Sequence, residues 1–216
     1  MPAGRDVAYY VSTLVTADQL PVSCAFMSPQ TSTQPLLREK AQLMSASEIE
    51  RTLVRLAHQI IEKNNGIERL ALVGIKRRGV PLAQRLAKIL QRIENKPVPV
   101  GTLDITLYRD DLSTVGTKPL VQPTDIGCPV TGMDIILVDD VLYTGRTTRA
   151  AMDALFDQGR PRRVQLLVLI DRGRRELPIE AAFVGRLVQT TAREMVEVRL
   201  QETDGLEKVL LMEREG

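Results

Sequence analysis

Two adjacent aspartates, Asp139 and Asp140, end a run of aliphatic residues, and a threonine-rich loop follows them. The run Ile135–Val138 is typical of a strand that is covered on both faces. After the loop Thr144–Thr148, the residues have the pattern of a helix. The first amides of a helix lack intrahelical partners and attract phosphate, and Gly145 lets the backbone approach an anion closely. The spacing therefore predicts a phosphate loop beside two carboxylates.

The two aspartates make this loop more specific than a general phosphate site. Adjacent carboxylates would repel a bare phosphate, so they need a partner that donates hydrogen bonds or carries positive charge. A ribose diol or a hydrated Mg²⁺ ion fits, because carboxylate oxygens accept from hydroxyls and bind hard cations. The segment predicts a site for a sugar with hydroxyls and a phosphate. An ordinary strand–helix turn with a solvated aspartate pair is the simpler alternative.

The composition indicates one folded domain and excludes several kinds of site. With 216 residues, of which 44% are hydrophobic and 26% are charged, the chain can bury one substantial core. A net charge of +2 is too small to indicate nucleic-acid binding by itself. His58 is the single histidine, which excludes histidine-rich metal sites. No apolar run approaches membrane-spanning length and no signal-peptide pattern is present, so we predict a cytoplasmic protein without a membrane partner.

The chain divides into a polar leader and an organised domain. Residues 1–43 are rich in Ser, Thr, Gln and Pro, which predicts a flexible leader, and residues 44–216 form the predicted domain. Strands alternate with helices there, which indicates an α/β fold with a mainly parallel central sheet flanked by helices. The segment Glu194–Glu213 alternates about an Asp204-Gly205 turn and predicts a hairpin.

Periodicity places the remaining elements. A helix with its cap at Ser45 or Ser47 has an apolar face from Ile49 to Ile61, and two further helices are predicted at Pro81–Ile93 and before Gly159. Other strands are predicted at Leu70–Ile75, Val98–Leu107 and Val164–Ile170.

Three charged segments stand at the ends of these other strands: Lys76–Gly79, Asp104–Asp111, which includes the last residues of its strand, and Asp171–Pro178. A charged loop by itself is usually only solvated. Ligands of parallel sheets, however, gather at the carboxyl ends of the strands. The arrival of all three loops at the edge that carries Asp139 and Asp140 therefore favours a binding site.

Four blocks in this order resemble a known family. Val138–Thr147 resembles the PRPP-binding motif of phosphoribosyltransferases, and together with Val73–Gly79, Asp104–Asp111 and Asp171–Ile179 it closely resembles the PyrR family. These are bifunctional regulators of pyrimidine operons that also act as uracil phosphoribosyltransferases. The resemblance runs from about Met44 to the C-terminus. It implies a type I phosphoribosyltransferase fold with a small hood and a C-terminal β-hairpin, and a homo-oligomer, dimeric or larger.

The resemblance implies the reaction uracil + PRPP → UMP + pyrophosphate, with Mg²⁺ bound to PRPP near the paired aspartates. It implies three groups of site residues. They are the catalytic Asp139, Asp140 and Arg109; the PRPP-binding Arg77, Arg78, Val141, Leu142, Tyr143, Thr144, Gly145, Arg146 and Thr147; and the base-binding Asp171, Arg172 and Val188.

The resemblance also implies UMP-dependent binding of pyr leader messenger RNA, with UTP as a further nucleotide partner. Arg51, Arg55 and His58 lie at positions i, i+4 and i+7 of the first predicted helix and so share a face. A solvated helix face is the simpler explanation of this stripe. The candidate RNA-binding residues are Arg51, Arg55, His58, Arg174, Arg175 and Arg186.

Three functions therefore compete. An enzyme needs the PRPP site and a base pocket, whereas a pure RNA regulator would use the nucleotide site only as a sensor. A phosphoribosyltransferase for another base, such as hypoxanthine or orotate, is the third, and Asp171-Arg172-Gly173 favours the PyrR family over it.

Overall fold

Strands and helices alternate along the folded domain, as the apolar runs of the sequence predict. The computed structural model of the chain describes residues 37–105 and 126–214. The strands are β1 (Leu37–Ser45), β2 (Leu70–Ile75), β3 (Val100–Leu103), β4 (Asp134–Leu142), β5 (Arg163–Asp171), β6 (Phe183–Leu187), β7 (Glu194–Arg199) and β8 (Lys208–Arg214). The helices are α1 (Ala46–Asn64), α2 (Gly79–Glu94), α3 (Arg146–Asp157) and α4 (Gln201–Asp204).

A five-stranded parallel sheet in the order β3-β2-β4-β5-β6 forms the centre of the domain. β4 lies in the middle, which explains why its first six residues are all buried. Alternate residues of a strand point to opposite faces. Leu72 accordingly joins α1 and α2 in one core, and Val73 joins α3 in the other. The predicted α/β class with a parallel sheet between helices is confirmed.

A second sheet of three antiparallel strands, in the order β1-β8-β7, completes the described part of the chain. Its strands β7 and β8 form the predicted hairpin, with the short helix α4 in the connection. Val196, Val198 and Val209 of this sheet are buried in the same core as α1 and α2. The hairpin therefore packs against the helical layer on that side of the parallel sheet.

The leader boundary predicted at residue 43 is corrected by strand β1. Leu37–Ser45 pairs with β8 from Leu37↔Arg214 to Ser45↔Lys208, so residues 37–43 belong to the second sheet. The first six side chains of β1 are exposed, which leaves no apolar alternation in the sequence to reveal a strand. The rest of the predicted leader lies outside the described residues.

Local signals give most element ends correctly. The backbone N–H of Ser45 donates to Glu48 Oε2 at 2.8 Å, which confirms the predicted cap of α1. The third strand is shorter than predicted, because β3 ends at Leu103 and Asp104 lies beyond it. β6 was not predicted at all, since a five-residue strand that contains Gly185 offers little periodicity. None of the helices in the described ranges is long and apolar enough to cross a membrane.

Candidate active site

A cleft of about 570 Å³ opens at the carboxyl ends of β2, β3 and β4. Parallel strands deliver their following loops to the same edge, so three segments far apart in the sequence meet there. The cleft combines cationic and acidic side chains. Its lining residues are Lys76, Arg77, Arg78, Asp104, Ile105, Asp139, Asp140, Val141 and Thr147.

Asp139 and Asp140 stand at the end of β4 in different surroundings. Asp139 is buried and its Oδ1 accepts the N–H of Asp140 at 3.0 Å, whereas Asp140 is half-buried and accepts the N–H of Val141 at 2.9 Å. Burial raises the pKa of the Asp139 carboxyl well above its ordinary value, and the charge of Asp140 raises it further. Burial also raises the pKa of Asp140, but the charge of Arg78 opposes that rise. Both carboxylates are therefore ready to gain from a cation or from hydroxyl donors.

The basic turn after β2 lies directly against the strand that carries the aspartates. A Cβ on Gly79 would lie 2.3 Å from the carbonyl oxygen of Val138, so only glycine permits this approach. The peptide bond between Lys76 and Arg77 is cis. Arg77 is exposed and has no ion-pair or hydrogen-bond partner among the described residues, whereas Arg78 donates to Asp204 through Nε at 3.0 Å and Nη2 at 2.8 Å. One of the two arginines is thus fixed and the other is available.

The threonine loop after β4 leads into α3 as predicted. Gly145 takes a positive φ of 93° and precedes the first helical residue, Arg146. The helix has no side-chain cap and no acidic residue in its first turn, so its first amides keep their attraction for an anion. Thr147 lines the cleft and is exposed, whereas Thr148 is buried. The loop is therefore open to a phosphate on the cleft side.

The predicted base-binding residues lie on the neighbouring strand and its continuation. Asp171 ends β5 beside Leu142 of β4, and its carbonyl oxygen accepts the N–H of Val188 at 2.8 Å. Arg172 is buried under the ring of Tyr143, 3.9 Å from the ring centroid, and donates to the carbonyl oxygen of Glu194 at 2.7 Å. Burial lowers the pKa of Arg172. The structure thus brings Asp171, Arg172 and Val188 together next to the phosphate loop.

Arg175, predicted as an RNA-binding residue, joins the loop after β5 to the loop after β4. Its guanidinium donates to Asp171 Oδ2 at 2.5 Å and to the carbonyl oxygens of Tyr143 at 3.0 Å and Ile179 at 2.9 Å. Its side chain is only 22% exposed, so little of it is left for RNA. An RNA contact by Arg175 stays a prediction, and these contacts disfavour it.

The other RNA candidates remain on the surface. Arg51, Arg55 and His58 are exposed on α1, and Arg186 is exposed on β6, against which α1 packs. Arg55 Nη2 donates to the carbonyl oxygens of Gly185 at 2.5 Å and Val184 at 3.4 Å. Lys63 Nζ, also on α1, donates to the carbonyl oxygen of Ala182 at 3.3 Å. Arg186 donates to the carbonyl oxygen of Leu43. The surface formed by Arg51, Arg55, His58 and Arg186 is called the basic face below. Arg174 is also exposed, on the loop after β5.

One predicted site residue has no described position, and one residue that was not predicted contacts the cleft. Arg109 lies outside the described residues. Asp204 was not predicted as a site residue, although its carboxylate binds Arg78 of the cleft. Arg78 and Asp204 are 126 positions apart in the sequence, so only the three-dimensional fold brings them together.

Comparison with known proteins identifies the family. The model of the phosphoribosyl transferase domain matches residues 40–203. The Bifunctional protein PyrR of Thermus thermophilus is 59% identical over 180 residues, which cover 83% of this chain and 99% of that protein. The Bifunctional protein PyrR of Pelotomaculum thermopropionicum is 58% identical over 178 residues, which cover 82% of this chain and 98% of that protein.

Solved structures support the same fold at lower sequence identity. A hypoxanthine phosphoribosyltransferase from Staphylococcus aureus superimposes with a TM-score of 0.59 at 21% identity, covering 80% of this chain and 92% of that one. The hypoxanthine phosphoribosyltransferase of Trypanosoma cruzi gives a TM-score of 0.61 at 19% identity, with 82% and 98% covered. At these identities the likeness concerns the fold alone.

Proposed function

Because the chain belongs to the PyrR family of phosphoribosyltransferases, we propose that it transfers the phosphoribosyl group of PRPP to uracil and regulates pyrimidine biosynthetic genes through pyr messenger RNA. The observation that carries the enzymatic part is the cleft, where Arg77 and Arg78 face Asp139 and Asp140 beside the open start of α3. This arrangement offers cations for pyrophosphate, carboxylates for ribose hydroxyls and amides for a 5′-phosphate.

The proposed binding mode follows the strand order. The 5′-phosphate binds the loop 144–147, and the ribose hydroxyls bind Asp139 and Asp140. Pyrophosphate binds Arg77 and Arg78, with Arg109 as a further cation. Uracil binds in the segment formed by Asp171, Arg172 and Val188. The register supports this layout, because Asp171 pairs beside Leu142, only two residues after Asp140.

The paired carboxylates also suit the chemistry of the transfer. Departure of pyrophosphate leaves positive charge on the ribose ring, and a nearby carboxylate stabilises that charge in a site from which water is excluded. Asp139 and Asp140 are raised in pKa by burial, so developing positive charge favours their ionised form. The cationic turn meanwhile holds the leaving pyrophosphate. Both ends of the breaking bond therefore meet charge of the opposite sign.

We propose that Mg²⁺ enters with PRPP near Asp139 and Asp140, whose oxygen atoms are ligands of the kind this ion prefers. Among the described residues, no group of three or more His, Cys, Asp or Glu side chains is arranged to hold a metal. When bound, the ion neutralises negative charge on the pyrophosphate group.

The base choice decides between this enzyme and other phosphoribosyltransferases. We expect the protein to form UMP from uracil and PRPP, and to form no nucleotide from hypoxanthine or orotate, in an assay that follows each product by chromatography. Pyrophosphate release should match UMP formation. Transfer to hypoxanthine or orotate in preference to uracil would contradict the proposal.

The regulatory part of the proposal is supported by the basic face. Four of the RNA candidates, Arg51, Arg55, His58 and Arg186, lie on α1 and β6 and are exposed. Phosphate contacts by such residues release counterions, so affinity for a pyr leader RNA should fall steeply as salt rises. A filter-binding series across salt, with and without UMP, tests this, and UMP should strengthen binding.

The outcomes of that series separate the alternatives. Salt-insensitive or absent RNA binding in a protein that makes UMP would leave a plain uracil phosphoribosyltransferase. UMP-dependent RNA binding without uracil transfer would leave a regulator that uses the nucleotide site as a sensor. Homo-oligomer formation stays a prediction of the family resemblance, and a cytoplasmic location stays a prediction from the sequence.

A further inference from the structure

Two arginines, one just before α2 and one within it, form three ion pairs with the turn between β7 and β8. Arg78, just before α2, binds Asp204 through two nitrogen atoms. About two helical turns further along, Arg85 binds Glu202 through Nε at 2.8 Å and Nη2 at 2.7 Å, and also binds Glu207. Bidentate pairs of this kind fix direction as well as distance. They differ in one respect, because Arg78 lines the cleft and Arg85 does not.

The Asp204 carboxylate is itself held in place. Its Oδ2 accepts the backbone N–H of Leu200 at 2.9 Å and the hydroxyl of Thr203 at 2.6 Å, in addition to Arg78 Nε. Together these donors lower the pKa of Asp204 far below its ordinary value, so the side chain is charged at neutral pH. Asp204 is therefore a fixed anion, and Arg78 adopts the direction that it imposes.

Two further carboxylates lie within electrostatic reach of Arg78. Asp140 and Glu197 both favour its charged form, after Asp204. Glu197 already binds Arg199 through two nitrogen atoms, at 2.9 and 3.1 Å. Asp140 is thus the acidic neighbour to which Arg78 would turn if Asp204 were lost, because a side chain only 30% exposed retains much of its attraction to nearby charge.

We infer that Asp204 is a positioning residue, which holds Arg78 at the pyrophosphate end of the cleft and away from Asp140. The inference rests on the proposed function, since it gives the pyrophosphate and ribose groups their places. With Asp204 present, Arg78 keeps a free nitrogen for pyrophosphate and Asp140 keeps its oxygens for ribose. Without it, the two site residues would neutralise each other. The last hairpin thereby takes part in PRPP binding without touching PRPP.

The test is Asp204→Asn, with Glu202→Gln as the matched control and Asp204→Glu as the rescue. Both neutral variants lose one carboxylate charge from α4 and one bidentate pair with an arginine. We expect Asp204→Asn to raise the KM for PRPP about tenfold, the size of effect that loss of a charged hydrogen bond produces. The KM for uracil should change less than about twofold. Glu202→Gln should change neither constant, and Asp204→Glu should restore most of the PRPP affinity.

Titration calorimetry with PRPP and Mg²⁺ provides a readout that does not depend on turnover. Equal PRPP affinity of Asp204→Asn and Glu202→Gln would overturn the inference. PRPP binding by Asp204→Asn that is tighter than by the unaltered protein would also overturn it, because Asp204 would then only neutralise Arg78. PRPP binding without uracil transfer by the unaltered protein would contradict the proposed reaction, while the comparison of variants would still decide the role of Asp204. Absence of PRPP binding by the unaltered protein would overturn both.

Discussion

At the scale of single residues, Asp139 and Asp140 are adjacent in the sequence but stand to contribute in different ways. Asp139 is 7% exposed and binds the backbone of its neighbour, whereas Asp140 is more exposed and feels the charge of Arg78. In the proposed reaction, the more accessible carboxylate is the better placed to face a ribosyl cation. The buried one adds negative potential at a cost to folding.

Replacement of Asp140 by Asn should remove the charge that faces the ribosyl cation. We expect kcat/KM for uracil transfer to fall by about a hundredfold, as is typical for loss of one electrostatic group in an active site. The fold should persist, since the amide can still accept the N–H of Val141. Steady-state kinetics and circular dichroism check this. Turnover near that of the unaltered protein would remove Asp140 from the chemistry.

Replacement of Asp139 by Asn should stabilise the fold at neutral pH while it weakens catalysis. The pKa of Asp139 is raised in the folded state, so the fold prefers the protonated carboxyl. The cost of ionising Asp139 does not reduce stability at pH below the pKa of an unfolded aspartate, about 3.9. It grows as the pH rises from there to the pKa of Asp139 in the folded state. The gain in Tm of Asp139→Asn over the unaltered protein should therefore be larger at pH 7.5 than at pH 4.5. Equal gains in Tm at both pH values would show that ionisation of Asp139 does not destabilise the fold.

Residue types at strand ends predicted the cleft because parallel strands must deliver their loops to one edge. Asp139, Arg78 and Thr147 could be placed there before any contact was known. Asp204 and Arg175 could not. Asp204 binds Arg78, which is 126 positions away, and Arg175 reaches the carbonyl oxygen of Tyr143, which is 32 positions away. An arginine or aspartate in a polar segment has the same local signature whether it is solvated or paired with a distant residue.

At the scale of elements, the loop after β5 links the two halves of the proposed nucleotide site. Arg175 binds that loop and the carbonyl oxygen of Tyr143, while the N–H groups of Glu176 and Leu177 donate to the carbonyl oxygen of Thr144 at 2.9 and 3.1 Å. Arg146 of the phosphate loop adds an ion pair with Glu176 at 2.7 Å. Hydrogen bonds and an ion pair therefore join the proposed base-binding loop to the proposed phosphate loop.

Replacement of Arg175 by Ala should loosen this link. Loss of hydrogen bonds to Asp171, Tyr143 and Ile179 should lower the affinity for UMP about tenfold and the free energy of unfolding by about 2 kcal/mol. Arg174→Ala is the matched control, because its side chain is exposed in the same loop. Calorimetric titration and thermal unfolding measure both effects. A variant that keeps UMP affinity but loses RNA affinity would restore Arg175 to the RNA surface.

Two elements escaped sequence reasoning for a common physical reason. β1 exposes its first six side chains and β6 is short and contains Gly185, so neither has the alternation that betrays a half-buried strand. Their hydrogen-bonding partners decide their conformation: β8 for one and β5 for the other. Strands with strong apolar runs, such as β2 and β4, needed no such help.

At the scale of the whole molecule, β1 marks where the folded domain begins among the described residues. We expect a protein that starts at residue 37 to keep the Tm and uracil transfer of the full chain, because the composition of the preceding segment predicts no packed core. A protein that starts at residue 44 should lose about 10 °C in Tm, since it lacks the β1–β8 pairing and the Lys40–Glu194 ion pair at 2.7 Å.

Thermal unfolding of the two truncated proteins checks this boundary. If both melted like the full chain, β1 would add nothing to stability. If both melted much lower, the segment before residue 37 would have to contribute to the fold.

The hydrogen bonds from α1 to β6 have a consequence for solubility. β6 is the outermost strand at its end of the described sheet, and the edge of a sheet is a template on which other chains can pair and aggregate. Arg55 binds the backbone oxygens of Gly185 at 2.5 Å and Val184 at 3.4 Å, and the shorter bond occupies an acceptor on the side of β6 away from β5, so it blunts that template. A substitution of Arg55 aimed at RNA could therefore create an aggregation-prone protein whose loss of binding imitates a recognition defect. Arg51→Ala, on the same helix face, leaves these oxygens covered and is the safer probe.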